Sequence, residues 1–247
     1  MRTQIVAVLF LLAVSLSFAA LDQSYVHVVA RDGSSTMEKT MELAVFSNQL
    51  TSDALTRMGA ICQSDRDLDC DVDVENKKIT IREKLASGSY YSFSSDYGLP
   101  YVTYTLVVNS IPSDKFAADL ETLLVGAGVV QPGDSSVEPM DLTDKQGNNE
   151  TVYYLRLFRA NITYAVTMPI PITEAYAGEV KGEISGDTAR FDLLDVMAGS
   201  EPITVKGTEF NLGYMIAIIG IIVIAALAFS FRAGSKPEVP KPSKKKK

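Results

Sequence analysis

A chain of 247 residues with 30 acidic residues, 23 basic ones and a single histidine carries a formal net charge of −7. Arg2 and the residues after Phe231 together contribute seven net positive charges, so the stretch between them stands near −14 and repels nucleic acid, which is excluded as a partner. The mixed composition, with no low-complexity block before the C-terminal tail, indicates a folded domain and not a disordered stalk.

The chain opens with "MRTQIVAVLFLLAVSLSFAALDQ": one basic residue, an apolar run from Ile5 to Leu16, then small residues. This is the anatomy of a secretory signal peptide over residues 1–19, with Ser17 and Ala19 at the −3 and −1 positions of a cleavage before Ala20. An uncleaved signal anchor is the alternative. In "YVHVVARDGSSTMEKTMELAVF", Tyr25, His27 and Val29 share one side of a strand, and Met37, Met41, Leu43 and Val45 follow on the next. Asp32-Gly33 is the turn between them. His27 reads as a plain strand residue, because a metal or base role needs partners that the sequence does not name.

"TSDALTRMGAICQS" changes period to that of a helix, capped by Thr51 or Ser52, with Leu55, Met58 and Cys62 on one side. The segment "CQSDRDLDCDVDVENKK" then sets an aspartate at every second position from Asp65 to Asp73. Read as an EF-hand loop starting at Asp65, it has Cys70 where glycine is needed and Asn76 where a bidentate glutamate is needed. A solvated turn leading into a strand accounts for the acidic residues, a weak divalent site at Asp65, Asp67 and Asp69 being the alternative; no metal or other cofactor is assigned. Cys62 and Cys70, an even pair in an exported domain, are expected to form a disulfide. "DVDVENKKITIREKL" continues as a hairpin turning at Asn76-Lys77, with Val72, Val74, Ile79 and Ile81 on its apolar face.

In "SGSYYSFSSDYGLPYVTYTLVVNSIP" aromatic rings cluster among serines and glycines. The spacing predicts a mobile loop over Ser87–Leu99 and a strand over Tyr101–Val108. Tyr90, Tyr91, Phe93, Tyr97 and Tyr101 are the candidate ligand-binding residues, since such rings bury apolar area and some offer a hydroxyl. The alternative is that several plug the edge of the core. "PSDKFAADLETLLVGAGVV" is a helix capped by Ser113, with Phe116, Leu120, Leu123 and Leu124 on its apolar stripe, ending at Gly126. The following segment to Asn149 reads as loop, and a division into two folds near Gly133 stays open. Asn149 and Asn161 head glycosylation sequons. "TVYYLRLFRANITYAVTMP" reads as one or two strands bent near Ala160, a Gly186-Asp187 turn joins two more, and "ITVKGTEF" closes the domain. The expected fold is α+β: a mostly antiparallel sheet with two helices on one face, over residues 20–210.

From Leu212 to Phe231 no residue is charged, and twenty residues of helix span ~30 Å, enough to cross a bilayer core. A transmembrane helix is therefore expected at 211–231, with Tyr214 near the outer interface. Arg232, Lys236, Lys241 and Lys244 to Lys247 make the tail 232–247 cytoplasmic by the positive-inside rule, and the acidic domain extracellular. That is a single-pass type I arrangement at the cell membrane, with lipid as the helix's partner.

The segment beginning "VTMPIPITEAYAGEVKGEISGDTARFDLLDVM" and running into the membrane helix, residues 166–225, resembles the LppM-like (DUF3153) family of exported, membrane-anchored proteins. The pattern is a strand ending at Met168-Pro169, a turn with Gly186, an aromatic at Phe191 and one membrane helix; "ARDGSSTMEKTMEL" is similar to that family's opening hairpin. The resemblance implies an exposed α/β domain on one membrane helix and lipid or glycolipid as a ligand class, and supplies no catalytic residues. The chain departs from it in lacking a lipobox cysteine and in its acidity.

No GxSxG elbow, HExxH helix or phosphate-cradling glycine loop is present. A non-enzymatic binding or interaction module is therefore expected, with loop 88–101 as contact surface and an envelope lipid, glycan or protein as ligand. A structural component of the envelope is one alternative. An extracytoplasmic hydrolase using paired carboxylates is another.

Overall fold

The computed structural model describes residues 22–43, 50–131, 139–157 and 159–234. The expected signal peptide, Val45, the division near Gly133 and the lysines beyond residue 234 lie outside the described residues. The chain divides into two compact units, one running to Asp96 and then over Thr103–Glu209, the other made of Tyr97–Val102 and the chain from Phe210.

The first unit is α+β. Its larger sheet contains β1 (Asp22–Val29), β2 (Ser35–Glu42), β3 (Asp69–Asp73), β4 (Lys78–Leu85), β9 (Asn161–Thr167), β12 (Glu183–Ser185) and β13 (Thr188–Asp192), in the order β12-β13-β9-β1-β2-β4-β3. The expected hairpins form. Gly33, at φ +82°, turns β1 into β2, and Gly186, at φ +65°, turns β12 into β13. Both angles favour glycine, which lacks the Cβ that clashes there. The period-two pattern places Tyr25, His27 and Val29 of β1 in the core with Met37 and Met41 of β2 and Ile79 and Ile81 of β4. Only β1 and β9 run parallel among the described pairings of this sheet, with His27 opposite Val166.

The second sheet holds β5 (Tyr91–Tyr97), β6 (Tyr101–Val108), β10 (Ile172–Ala177), β11 (Val180–Lys181) and β14 (Ile203–Phe210), ordered β11-β10-β14-β6-β5. A third, two-stranded sheet pairs β7 (Ser110–Ile111) with β8 (Met140–Asp141). Three sheets and five helices among the described residues replace the expected one sheet and three helices, the C-terminal apolar helix counted in both.

Helix α1 (Ser52–Ser64) starts as its sequence directs. The Thr51 hydroxyl accepts from the Ala54 N–H, and Leu55, Met58 and Cys62 are buried. It packs on β3, and the Cys62–Cys70 disulfide ties the two together with 5.3 Å between Cα atoms. Helix α2 (Ser113–Gly126) buries Phe116, Leu120 and Leu123, with Pro112 at the N-cap position in place of the expected Ser113.

Two helices stand where strands or loop were expected. Helix α3 (Lys145–Leu157) takes the last residues of the supposed loop and the start of the supposed strand. Asp144 starts it, its carboxylate accepting from the N–H groups of Gln146 and Gly147, and the buried Asn148 amide donates to the carbonyls of Asp141 and Leu142. The β-favouring run "VYYL" is overridden by that cap and by packing against α4 (Leu193–Gly199). Helix α4 is itself capped by Asp192, whose carboxylate accepts from Leu194 and Asp195. Seven residues give too few turns for a period to show.

In the second unit, α5 (Leu212–Gly234) contains a 19-residue span, Leu212–Ser230, of mean hydropathy 2.7 and no burial. It is the one helix among the described residues long and apolar enough to cross a membrane.

Candidate functional site

The aromatic segment is not the expected loop over its whole length: residues 91–97 form β5. Burial falls off along that strand, from Tyr91 at its start to Tyr97 at its end, and this gradient divides the candidate residues. Tyr91 is 1% exposed, and its hydroxyl donates to the Gly33 carbonyl at 2.7 Å. Phe93 stacks on Tyr104 with ring centres 5.9 Å apart, and its Cδ1 would lie 3.1 Å from a Cβ at Gly33. Tyr90 is half-buried, and burial, then the Asp114 charge, raises its phenol pKa. These three rings line the body of the fold. Tyr97 and Tyr101 do not: they are 71% and 46% exposed, with Leu99, also exposed, between them at the hairpin tip.

The tip meets the start of α5. The Tyr101 ring lies 4.8 Å from that of Phe210, which is exposed, and the Asn211 N–H donates to the Pro100 carbonyl at 2.9 Å. Leu99 and Phe210 are the members that sequence reasoning missed. No local signal marks them, because contacts between such distant positions leave no local pattern.

The acidic segment dissolves into separate tasks. Asp65 accepts from the Asp67 N–H in a turn, Asp69 lies 3.6 Å from Arg82, and Asp73 accepts from the backbone and side chain of Asn76. Those Asn76 bonds hold the Asp73 carboxyl below its usual range. Among the described residues no group of three or more His, Cys, Asp or Glu side chains could hold a metal.

Two other polar constellations are built by the fold. His27 is fully buried; its Nδ1 lies 2.8 Å from the Tyr164 hydroxyl, and the Tyr91 ring meets it edge-on at 5.1 Å. Burial lowers the imidazole to about 4 and raises the Tyr164 phenol, so the pair is neutral at pH 7. His27 is thus a strand residue of the core, as its alternation indicated. On the surface, Lys115 of α2 holds Glu83 of β4 at 2.9 Å. Asp119, one turn further along α2, is raised to about 6 by partial burial, then by the charge and hydrogen bond of Glu83. At that value it can keep a proton to donate to its neighbour.

Asn149 is exposed on α3 and Asn161 is exposed at the start of β9, so Asn149 belongs to a helix and not to a loop. Asn149 also lines a shallow groove with Tyr153, Arg156, Leu157 and Ala198.

A scan against protein-family models gives no match, and neither does a search of curated proteins. Among solved structures, the chain is similar to the folded domain of LppM from Mycobacterium tuberculosis, determined by NMR. Sequence identity is 10% and the TM-score 0.28, over 77% of this chain and 91% of that one. The likeness is one of fold, and no residue roles pass across it.

Proposed function

We propose that the chain is an exported, single-pass binding or interaction module of type I topology, whose aromatic hairpin is its contact surface. The observation that carries this reading is the unburied apolar span Leu212–Ser230, which has no protein core to enter and matches a bilayer in length. The disulfide supports an oxidising compartment, where such a bond persists. The acidic domain lies outside, the basic tail in the cytoplasm, and the ligand is a lipid, a glycan or a protein of the envelope. The competing hydrolase reading has its best carboxylate pair in Glu83 and Asp119. Burial and the Glu83 charge favour the protonated form of Asp119, so the two can share a proton, and that reading stays the alternative.

Protease added to intact cells tests the topology. The acidic domain is expected to be digested, while the residue containing α5 stays in the membrane fraction until detergent is added. An undigested domain, or a full-length chain that is a detergent-free monomer, overturns the proposal.

A further inference from the structure

The exposed hairpin tip and the apolar helix are one compact unit, and that unit is defined chemically as well as by packing. Across residues 97–102 and 210–231 there is no Asp, Glu, Lys or Arg, while Asp96 and Glu209 stand immediately outside these limits. The domain's charge stops where the unit begins.

Asn211 is the joint. Its side-chain oxygen accepts from the Tyr214 N–H at 3.2 Å, and its carbonyl from the Met215 N–H at 3.1 Å, so the first turn of α5 is capped. Its own N–H goes to Pro100. A helix that enters hydrocarbon must satisfy such N-terminal donors at the boundary, where no water lies beyond. The residue that meets this need also fixes the tip level with the helix start. Around it, Tyr97, Leu99, Tyr101 and Phe210 turn apolar surface outward. Tyrosine favours the membrane–water boundary because its ring is apolar and its hydroxyl is wet, and uncharged neighbours can enter there without shedding ionic hydration.

We propose that Tyr97, Leu99, Tyr101 and Phe210 form an interfacial wedge that docks into the headgroup–acyl boundary of the outer leaflet, in the same membrane that α5 crosses. The proposal rests on the anchored reading above and assigns the lipid surface as the partner of the exposed half of the aromatic segment. The wedge holds no cation, so its insertion requires no anionic lipid and persists at high salt.

The chain contains no tryptophan, so each substitution to tryptophan introduces a single reporter. Full-length Tyr97→Trp, Leu99→Trp and Ile222→Trp chains are reconstituted in phosphatidylcholine vesicles brominated either high on the acyl chain or near its end. All three native side chains are exposed, so the exchanges leave the core intact. The two tip reporters are expected to lose most of their emission to the shallow bromines and little to the deep ones, unchanged by molar salt. Ile222→Trp is expected to show the reverse depth preference. Quenching of Ile222→Trp with unquenched tip reporters overturns the wedge and leaves the anchor standing. Blue-shifted but unquenched tip reporters mean that protein, such as a second copy of the chain, covers the tip, which also overturns the wedge. An unquenched Ile222→Trp overturns the anchored reading and the wedge with it.

Discussion

The two halves of the aromatic segment both carry tyrosines and have opposite environments. Tyr91 is sealed against Gly33 and His27, whereas Tyr97, six residues along the chain, projects into solvent. Ring content therefore says little about a ring's work; what separates the halves is the point where the strand leaves the first unit. Upstream of Asp96 a ring is structural. At the tip, Tyr97 and Tyr101 have no core to fill and are available to a partner; beyond it, at Tyr104, the strand is buried again.

Stability measurements can break or sharpen that contrast. The largest effect is expected from Tyr91→Ala, which removes a fully buried ring and should cost about 3–4 kcal/mol in denaturant unfolding of the domain. A loss similar to that of Tyr97→Ala would erase the distinction. Next comes acid. The folded His27 binds its proton near pH 4 and the unfolded one near 6.5, so the unfolded state takes up more protons between these values. Stability is expected to be highest above pH 6.5 and to fall by about 3 kcal/mol from this group as pH drops to 4. His27→Gln should flatten the slope. Asp119 works in the opposite sense: its raised pKa restores stability as pH falls from 6 towards its unfolded value, so Asp119→Asn should steepen the acid loss.

A smaller effect is expected at Gly33, which Tyr91 and Phe93 both touch. Gly33→Ala places a side chain at φ +82° and is expected to cost about 1–2 kcal/mol, read as a lower unfolding midpoint. Least of all, Tyr97→Ala should alter domain stability by no more than about 0.5 kcal/mol, because its ring touches no core. A larger change would place Tyr97 with the structural half.

The sequence carried the local parts of this picture. The β1–β2 and β12–β13 hairpins, helix α2 with its Phe116-Leu120-Leu123 stripe, the disulfide and the apolar helix are each written in neighbouring residues. Helix α3 was illegible because Val152, Tyr153 and Tyr154 favour strands, and its decisive contacts come from Asp144, Leu142 and α4. Helix α4 was too short to show a period. Of the candidate site, the rings could be counted but not sorted, since alternation gives the two faces of β5 without saying where core ends. The pairing of Asn211 with Pro100 joins chain positions too distant for any local motif to announce.

The parallel pairing of β1 with β9 has a consequence for how this protein is made. His27 reaches its hydrogen-bond partner Tyr164 across 137 positions of sequence, in the middle of the largest sheet. Strand β1 is made long before β9 and must wait, with one edge unfilled, until the intervening chain has been synthesised. Long-range pairing of this kind slows folding and prolongs the exposure of sticky intermediates. The β1–β2 hairpin therefore carries an unpaired edge through that interval, the feature of a nascent chain that invites self-association.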